Sequence, residues 1–351
     1  MAVTVNSHTL KKCLRIAIQA KVFAMIDGSP GIGKSACVWE IAEQYNLKLI
    51  DVRLAQCDPT DLNGFPHIFV EKNRAGYVPM ETFPLEGDEL PINPATGKRY
   101  QGWLIFFDEL NSAPRGVQAA SYKIVLDRMI GQQSLHSNVV LMGAGNLDTD
   151  NAIVEELSSA LQSRMLHLTL ASNAPIWLDV ASKDNIDPKI TSYVRAYPKH
   201  LNTFNPDAQG AEKTYACERT WYMANKLLNT DLDLDDNEVA VPLLAGTLGE
   251  GVARTFRAHT KIFKELPEYR QIVKSPLTTI VPTEISHLWA LAGSISHQAV
   301  SDDMDSVMDY TARLPKEYQV VCLREMGRRN IELLSHPKMA EWQIENGKEF
   351  F

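Results

Sequence analysis

The octapeptide GSPGIGKS, residues 28–35, constrains the fold of this chain more than any other feature. It matches the pattern G-x-x-x-x-G-K-[ST] at every fixed position. An apolar, strand-like run (VFAMI) precedes it, and a helical pattern (SACVWEIAEQYN) begins at its last residue. In such a strand–loop–helix unit, glycines let backbone N–H groups point at phosphate oxygens at the start of the helix. The sequence therefore predicts a loop that binds a nucleoside triphosphate, and we call residues 28–35 the phosphate loop.

The last two positions of the phosphate loop have their own expected roles. Lys34 places a positive charge on the β- and γ-phosphates, and the hydroxyl of Ser35 ligates Mg²⁺. The segment NKLL, residues 225–228, lacks the final aspartate of the guanine-selective N-K-x-D pattern, so ATP is the expected nucleotide and Mg²⁺ its metal. The residues expected to bind it are Gly28, Ser29, Pro30, Gly31, Ile32, Gly33, Lys34 and Ser35.

Two further strand ends carry polar side chains suited to hydrolysis of a triphosphate. The apolar run LIFFDEL ends in two carboxylates, of which Asp108 is expected to bind Mg²⁺ and Glu109 to polarise the attacking water. The segment GAGN ends the next predicted strand with Asn146, whose amide is expected to hold that water. The alternative for Asn146 is an ordinary turn-forming asparagine.

Composition limits the number of domains, the compartment and the partners. A chain of 351 residues is long enough for two or three compact units. No apolar run approaches the roughly 20 residues that span a bilayer, and the first residues lack the order of a signal peptide. Five cysteines without CxxC spacing favour reduced thiols, so a cytoplasmic location without membrane association is expected. A net charge of −8 argues against a broad nucleic-acid-binding face.

The order of strand-like and helical segments predicts three parts. Residues 1–170 alternate strands with helices, which predicts an α/β nucleotide-binding core with a parallel, five-stranded sheet covered on both sides. Residues 171–265 show only helical patterns and are expected to form a helical lid. Residues 266–351 follow a proline-marked junction and predict a further C-terminal helical region.

The ordered motifs resemble the AAA+ superfamily of ring-forming ATPases. Three segments narrow this resemblance to the MoxR-like, dynein-related (AAA_5-type) family: DPTDLNGFP, residues 58–66; DELNSAPRGVQAA, residues 108–120; and ERTW, residues 218–221. The resemblance covers about residues 8–265 and implies an αβα P-loop NTPase core followed by an all-α lid. It also implies a ring, hexameric in related proteins, with ATP at each interface between subunits.

Two arginines take their expected roles from this resemblance. Arg164, in LQSRM, would act as an arginine finger on the nucleotide of the neighbouring subunit. Arg219, in ERTW, would be the sensor 2 arginine that reaches from the lid to the phosphates of its own subunit. The alternative for each is a solvated surface arginine. Where the family usually has a proline before this arginine, the chain has Glu218, whose carboxylate could pair with Arg219.

The segment between the second and third predicted strands, residues 61–101, breaks the alternation and is rich in proline, glycine and aromatic residues. Its aromatic residues Phe65, Phe69, Tyr77 and Phe83 either pack the segment onto the core, which we favour, or line the pore of a ring and grip a polypeptide. By the same resemblance, GQQSLHS, residues 131–137, is expected to form a small hairpin on the same face.

Three classes of function are compatible with these motifs. The resemblance favours an ATP-hydrolysing ring that remodels a protein client or acts as its chaperone, together with a partner that carries a von Willebrand factor A domain. The alternative within the superfamily is a nucleic-acid motor of the helicase or branch-migration type, against which the negative net charge argues. A nucleotide-gated scaffold without turnover is disfavoured, because it needs neither Glu109 nor Arg164.

Overall fold

The computed structural model of the protein describes residues 3–147, 150, 157–207 and 213–350, with the side chains of residues 347–350 excepted. The chain forms two compact units, Met1–Ala171 with Asn205–Asp207, and Ser172–Phe204 with Ala208–Phe351. The first unit carries the strands and the second is helical. The three-part division of the chain stays a prediction.

The strands of the described residues all lie in the first unit. In chain order they are β1 (Val3–Val5), β2 (Ala24–Asp27), β3 (Leu47–Arg53), β4 (Phe65–Phe69), β5 (Arg74–Val78), β6 (Gly102–Asp108), β7 (Met129–Ile130), β8 (Gln133–Ser134), β9 (Val139–Gly145) and β10 (Leu166–Leu170). Six of them form one sheet in the order β1-β10-β2-β9-β6-β3, and every neighbouring pair is parallel.

The predicted fold class is confirmed: a parallel sheet with helices on its faces precedes a helical region. All five expected strands are present as β2, β3, β6, β9 and β10. The sheet has six strands rather than five, because residues 3–5 add an edge strand beside β10. Three residues are too few to show a strand's alternation of polar and apolar side chains, so sequence reasoning missed β1.

Helices pack on both faces of the sheet in the first unit. They are α1 (Ser7–Ala20), α2 (Lys34–Gln44), α3 (Pro59–Asn63), α4 (Arg115–Asp127) and α5 (Ser159–Gln162). Strand β6 shows why both faces are covered: Leu104 and Phe106 pack in the core with α1 and α2, whereas Ile105 and Phe107 pack in the core with α4. Strands that are buried on both faces read as continuous apolar runs, as LIFF does here.

Two small antiparallel hairpins lie outside the sheet. Strands β4 and β5 pair within the segment of residues 61–101, and β7 and β8 pair just after α4, where GQQSLHS was expected to form a hairpin. The favoured prediction is that the aromatic residues of this segment pack onto the core. It is right for Phe83, which is 4% exposed, and wrong for Phe65 and Tyr77, which are 56% and 46% exposed. Phe69 is also exposed. A two-stranded hairpin has too little second surface to bury both of its faces.

The second unit is built from helices. They are α6 (Ala174–Lys183), α7 (Pro188–Ala196), α8 (Glu218–Leu228), α9 (Ala240–Leu248), α10 (Glu250–Thr260), α11 (Tyr269–Lys274), α12 (Ile285–Gln298), α13 (Met304–Thr311), α14 (Lys316–Arg329) and α15 (Pro337–Phe350). One core surrounds Tyr193, Trp221 and Phe256, and a second surrounds Tyr310 and Met326. Across the described ranges, none of the helices has the length and apolar character needed to cross a membrane.

Candidate nucleotide-binding site

The register of the sheet brings three strand ends together. Asp27, the last residue of β2, pairs with Gly145, the last residue of β9, and Phe107 near the end of β6 pairs with Gly143. The carboxyl ends of parallel strands share one edge of a sheet, which is where ligands bind in open α/β folds. The phosphate loop follows β2, Asn146 follows β9 and Asp108 ends β6, so all three lie at the same edge of the sheet.

The phosphate loop runs directly into helix α2. Gly31 and Gly33 have φ values of 79° and 97°, in the left-handed region that favours glycine. Gly33 caps α2, and no side chain accepts a hydrogen bond at this cap. The N–H groups of the first turn of an α-helix have no partner within the helix, so they attract anions. The conformation and sequence of this loop fit a bound phosphate group.

Lys34 connects the phosphate loop to Asn146. Its side chain is buried, and Nζ donates hydrogen bonds to the carbonyls of Gly28 and Ser29, the latter at 3.2 Å. It also donates to Oδ1 of Asn146 at 3.2 Å. The structure thus brings together a cation and an amide that the sequence predicted separately for the γ-phosphate.

The two expected magnesium ligands lie in direct contact. Oγ of Ser35, on α2, donates a hydrogen bond of 2.9 Å to Oδ2 of Asp108, at the end of β6. A hydroxyl and a carboxylate are oxygen ligands of the kind that Mg²⁺ prefers, and Mg²⁺ is usually bound by one or two such protein groups together with phosphates and water. The residues present therefore fit the metal of a Mg·ATP complex.

Glu109 has an unusual backbone conformation. Its φ of 58° and ψ of 36° lie in the left-handed region, although it carries a side chain, and its N–H donates to Oδ1 of Asp108 at 2.9 Å. Such a conformation costs free energy and is common at functional sites. The chain turns sharply after β6, into a short 3₁₀ turn at Leu110–Ser112.

Asn111 is a buried residue that sequence reasoning missed. It lies in the 3₁₀ turn after the carboxylates and is 5% exposed. Its Nδ2 donates to the carbonyl of Asn146 at 2.7 Å, and its Oδ1 accepts from the N–H of Asn146 at 3.1 Å. The only local signal is an asparagine in DELNSAP, which has the composition of an ordinary turn.

Asp150 is a second residue without a sequence prediction. Oδ1 accepts a hydrogen bond from Oγ of Ser29 in the phosphate loop at 3.4 Å, and Oδ2 accepts from the N–H of Leu147 at 3.3 Å. Burial raises the pKa of the Asp150 carboxyl, and these hydrogen bonds and the charge of Lys34 oppose that rise. A carboxylate therefore lies beside the loop that is expected to bind phosphate.

Arg164 is exposed, in the turn between α5 and β10. Its Nη1 donates a hydrogen bond of 2.9 Å to the carbonyl of Ala160, so the guanidinium contacts its own helix. An exposed position of this kind is compatible with a neighbouring subunit and with a plain surface arginine. The role of Arg164 therefore stays a prediction.

Arg219 is exposed on the first turn of α8, in the second unit. The preceding Glu218 is buried, and its carboxylate accepts hydrogen bonds from the hydroxyl of Ser172 at 2.5 Å and from Nδ2 of Asn202 at 3.2 Å. Burial raises the pKa of Glu218, although these hydrogen bonds oppose the rise. Glu218 thus has neutral partners rather than the local pair with Arg219 that its position suggested.

Comparisons with known proteins give structural similarity without a sequence family. No protein-family model matches the chain, and no curated protein matches it. Among solved structures, a candidate ATPase from Cytophaga hutchinsonii is 16% identical, with 99% of this chain and 91% of that chain covered and a TM-score of 0.36. A RuvB point mutant from Thermotoga maritima is 16% identical, with 87% of this chain and 88% of that chain covered and a TM-score of 0.38.

A second RuvB point mutant from Thermotoga maritima gives similar values: 16% identity, 86% of this chain and 85% of that chain covered, and a TM-score of 0.37. Similarity at this level carries no function from those proteins to this chain, since one fold hosts many activities. The functional argument therefore comes from the geometry of the site itself.

Proposed function

We propose that the protein is an AAA+ ATPase of the MoxR-like type, which hydrolyses ATP to ADP and phosphate with Mg²⁺. The observation that carries the hydrolysis of Mg·ATP is the hydrogen bond between Ser35 and Asp108, which joins the expected metal ligands of the phosphate loop and of β6, whereas the MoxR-like type rests on the resemblance of the motifs. The contact between Lys34 and Asn146 supports the same site from β9. Four residues from three separate segments thus form two direct contacts, an arrangement that supports a site for one Mg·triphosphate.

The residues of the site divide the chemistry among them. The N–H groups at the start of α2 and the ammonium of Lys34 would bind the phosphates, and Ser35 and Asp108 would hold Mg²⁺. When bound, Mg²⁺ neutralises charge on the phosphate oxygens. Glu109 accepts the proton of the attacking water, and the amide of Asn146 orients that water.

We further propose that the protein works as a homo-oligomeric ring, of hexameric size, that remodels a protein client. The exposed Arg164 would complete the site of the neighbouring subunit, and the exposed Arg219 would couple the helical unit to the nucleotide. The five cysteines are free, which supports a reducing, cytoplasmic location. A protein with a von Willebrand factor A domain is the proposed recruiting partner.

The hairpin of β4 and β5 supports a polypeptide client. Besides Phe65 and Tyr77, it exposes Ile68 at 69% and Val78 at 45%. Exposed apolar clusters on soluble proteins mark sites of interaction with other proteins more often than isolated apolar residues do. The hairpin is therefore the proposed contact for an unfolded segment of the client.

Turnover of ATP by matched variants tests this proposal. Glu109→Gln is expected to retain binding of Mg·ATP and to lose hydrolysis, because the amide cannot accept the proton of water. Lys34→Ala is expected to lose binding itself, measured by titration with a fluorescent ATP analogue. Glu43→Gln, which changes an exposed carboxylate on α2 in the same way, is the control and should behave as wild type.

Two results would contradict the proposal in different ways. Equal turnover by wild type and Glu109→Gln would exclude catalysis by this carboxylate, and negligible turnover by both would favour a nucleotide-gated scaffold. Strong stimulation of turnover by DNA, with a steep loss on addition of salt, would instead favour a nucleic-acid motor over a protein remodeller.

A further inference from the structure

The two groups that would handle the attacking water lie on different strand ends. Glu109 follows β6 and Asn146 follows β9. Each strand end is a turn whose side chains could shift independently, and small shifts of reacting groups lower the rate strongly. A group that fixes one turn against the other would therefore matter for the rate of hydrolysis.

Asn111 makes that connection. Its side-chain amide donates to the carbonyl of Asn146 and accepts from the N–H of the same residue, so both polar atoms bind one backbone position. Asn111 belongs to the same short turn as Glu109, whose carbonyl accepts from the N–H of Ser112 at 3.0 Å. The amide thus joins the turn of the catalytic carboxylate to the residue whose side chain contacts Lys34.

The residue before Asn146 leaves room for this amide. A Cβ added to Gly145 would collide with the side chain of Asn111, and it would lie 2.7 Å from Cε of Met25. Gly145 has an ordinary φ, so the restriction comes from the space that Asn111 occupies and not from a left-handed backbone. Asn111 and Gly145 therefore form one packed unit behind the site.

We propose that Asn111 is a positioning residue for ATP hydrolysis, whose amide sets the distance between Glu109 and Asn146 by binding the backbone of Asn146. This inference rests on the ATPase function proposed above. Asn111 touches neither nucleotide nor metal in this proposal, and it acts through the residues that do. Its loss should lower the rate of the chemical step and leave the binding of ATP intact.

The first test is Asn111→Asp, which keeps the size of the side chain but replaces the donor Nδ2 by an acceptor facing a carbonyl. We expect kcat to fall by up to about 100-fold, the loss that a displacement of a reacting group by about 1 Å can cause. The dissociation constant of Mg·ATP, measured by titration, should change by less than about threefold. If Asn111 only supported the fold of the site, its loss would lower kcat and the affinity for Mg·ATP together.

The second test keeps Asn111 in the sequence and displaces its side chain through a neighbouring residue. Gly145→Ala adds one methyl group against the amide of Asn111, and we expect the same separation between kcat and ATP affinity.

Asn138→Asp is the matched control for Asn111→Asp, because Asn138 is an exposed residue whose Nδ2 also donates to a backbone carbonyl, that of Gln101. It should keep the kcat of wild type. Circular dichroism and thermal melting confirm that each variant is folded.

The outcomes separate this inference from the proposed function. Wild type that neither binds nor hydrolyses ATP would overturn both. Wild type that hydrolyses ATP, with Asn111→Asp at an unchanged rate, would overturn the positioning role alone. A parallel loss of affinity and rate in Asn111→Asp and Gly145→Ala would also overturn it, because the residue would then support the binding site as a whole.

Discussion

The side chains of Ser35 and Asp108 are hydrogen-bonded to each other at 2.9 Å, although 73 positions separate them in the chain. Ser35 lies in the first turn of the helix that follows β2, and Asp108 ends β6. Strand β9 lies between β2 and β6 in the sheet, so the contact depends on the whole arrangement and not on local sequence. This contact is the basis of the first prediction.

Asp108→Asn should lower turnover and raise the concentration of magnesium that turnover requires. The neutral amide is a weaker ligand for Mg²⁺, whose stabilisation of developing charge is worth several kcal/mol, so we expect turnover to fall by about 100-fold or more. The concentration of Mg²⁺ that gives half-maximal rate should rise. Asp127→Asn, at an exposed position at the end of α4, is the control. An unchanged magnesium titration for Asp108→Asn would exclude this residue as a ligand.

Arg164→Ala should bind ATP and fail to hydrolyse it. An arginine finger supplied by a neighbour is worth about 10³–10⁵ in rate, so the loss should be large. Mixing Arg164→Ala with Glu109→Gln subunits should restore part of the activity, since some interfaces then combine an intact Arg164 with an intact Glu109. Arg15→Ala, at an exposed position on α1, should keep full activity. No recovery on mixing would contradict action across an interface.

Polar substitutions on β4 should weaken binding of an unfolded polypeptide and leave basal turnover of ATP unchanged. We expect the double variant Phe65→Ser with Ile68→Ser to lose most of its affinity for labelled casein, used as the probe, because two strongly exposed apolar side chains are removed. Ile16→Ser removes a side chain of α1 that is 55% exposed and serves as the control. Equal loss of casein binding in both variants would argue against a role of the hairpin.

His259 should make the stability of the helical unit depend on pH. It is 5% exposed and shares a hydrogen bond of 2.9 Å with Ser192, and burial, helped by the charge of His287, lowers its pKa to about 4. The unfolded chain takes up a proton on this histidine near pH 6.5, whereas the folded chain resists it until about pH 4. The free energy of unfolding should therefore fall as pH falls through this window.

The variant His259→Gln isolates this contribution from the carboxylates that also titrate. It keeps a polar side chain beside Ser192 but cannot take up a proton. Thermal melts of wild type and variant between about pH 4 and 6.5 should show a flatter dependence for the variant. Parallel curves would show that His259 is not the group responsible.

The parts of the fold that follow from local patterns were predictable from sequence. The apolar run before Asp108 is buried on both faces, and the glycines of the phosphate loop adopt the conformations that their positions require. Periodicity and turn chemistry carry such information within a few residues. The same holds for the alternation of strands and helices that predicted a parallel sheet.

The contacts that complete the site were not predictable in this way. Asn111 and Asp150 are recognisable only once β9 and the phosphate loop are neighbours, because their partners Asn146 and Ser29 lie far away in the chain. Likewise, the exposure of Phe65 depends on the hairpin of β4 and β5, which no periodic pattern in the sequence predicted. Interactions between distant segments leave no regular spacing in a single sequence.

The position of β6 between two paired strands has a consequence for motion. This strand carries Asp108 and is bonded to β3 on one side and to β9 on the other, with Ile105 and Phe106 fully buried. Its amides can exchange with solvent only when two neighbouring ladders open together, so they should be among the last in the protein to take up deuterium. Movement within this part of the sheet during a catalytic cycle would then come from the turns at its edge, while the strand beneath them stays fixed.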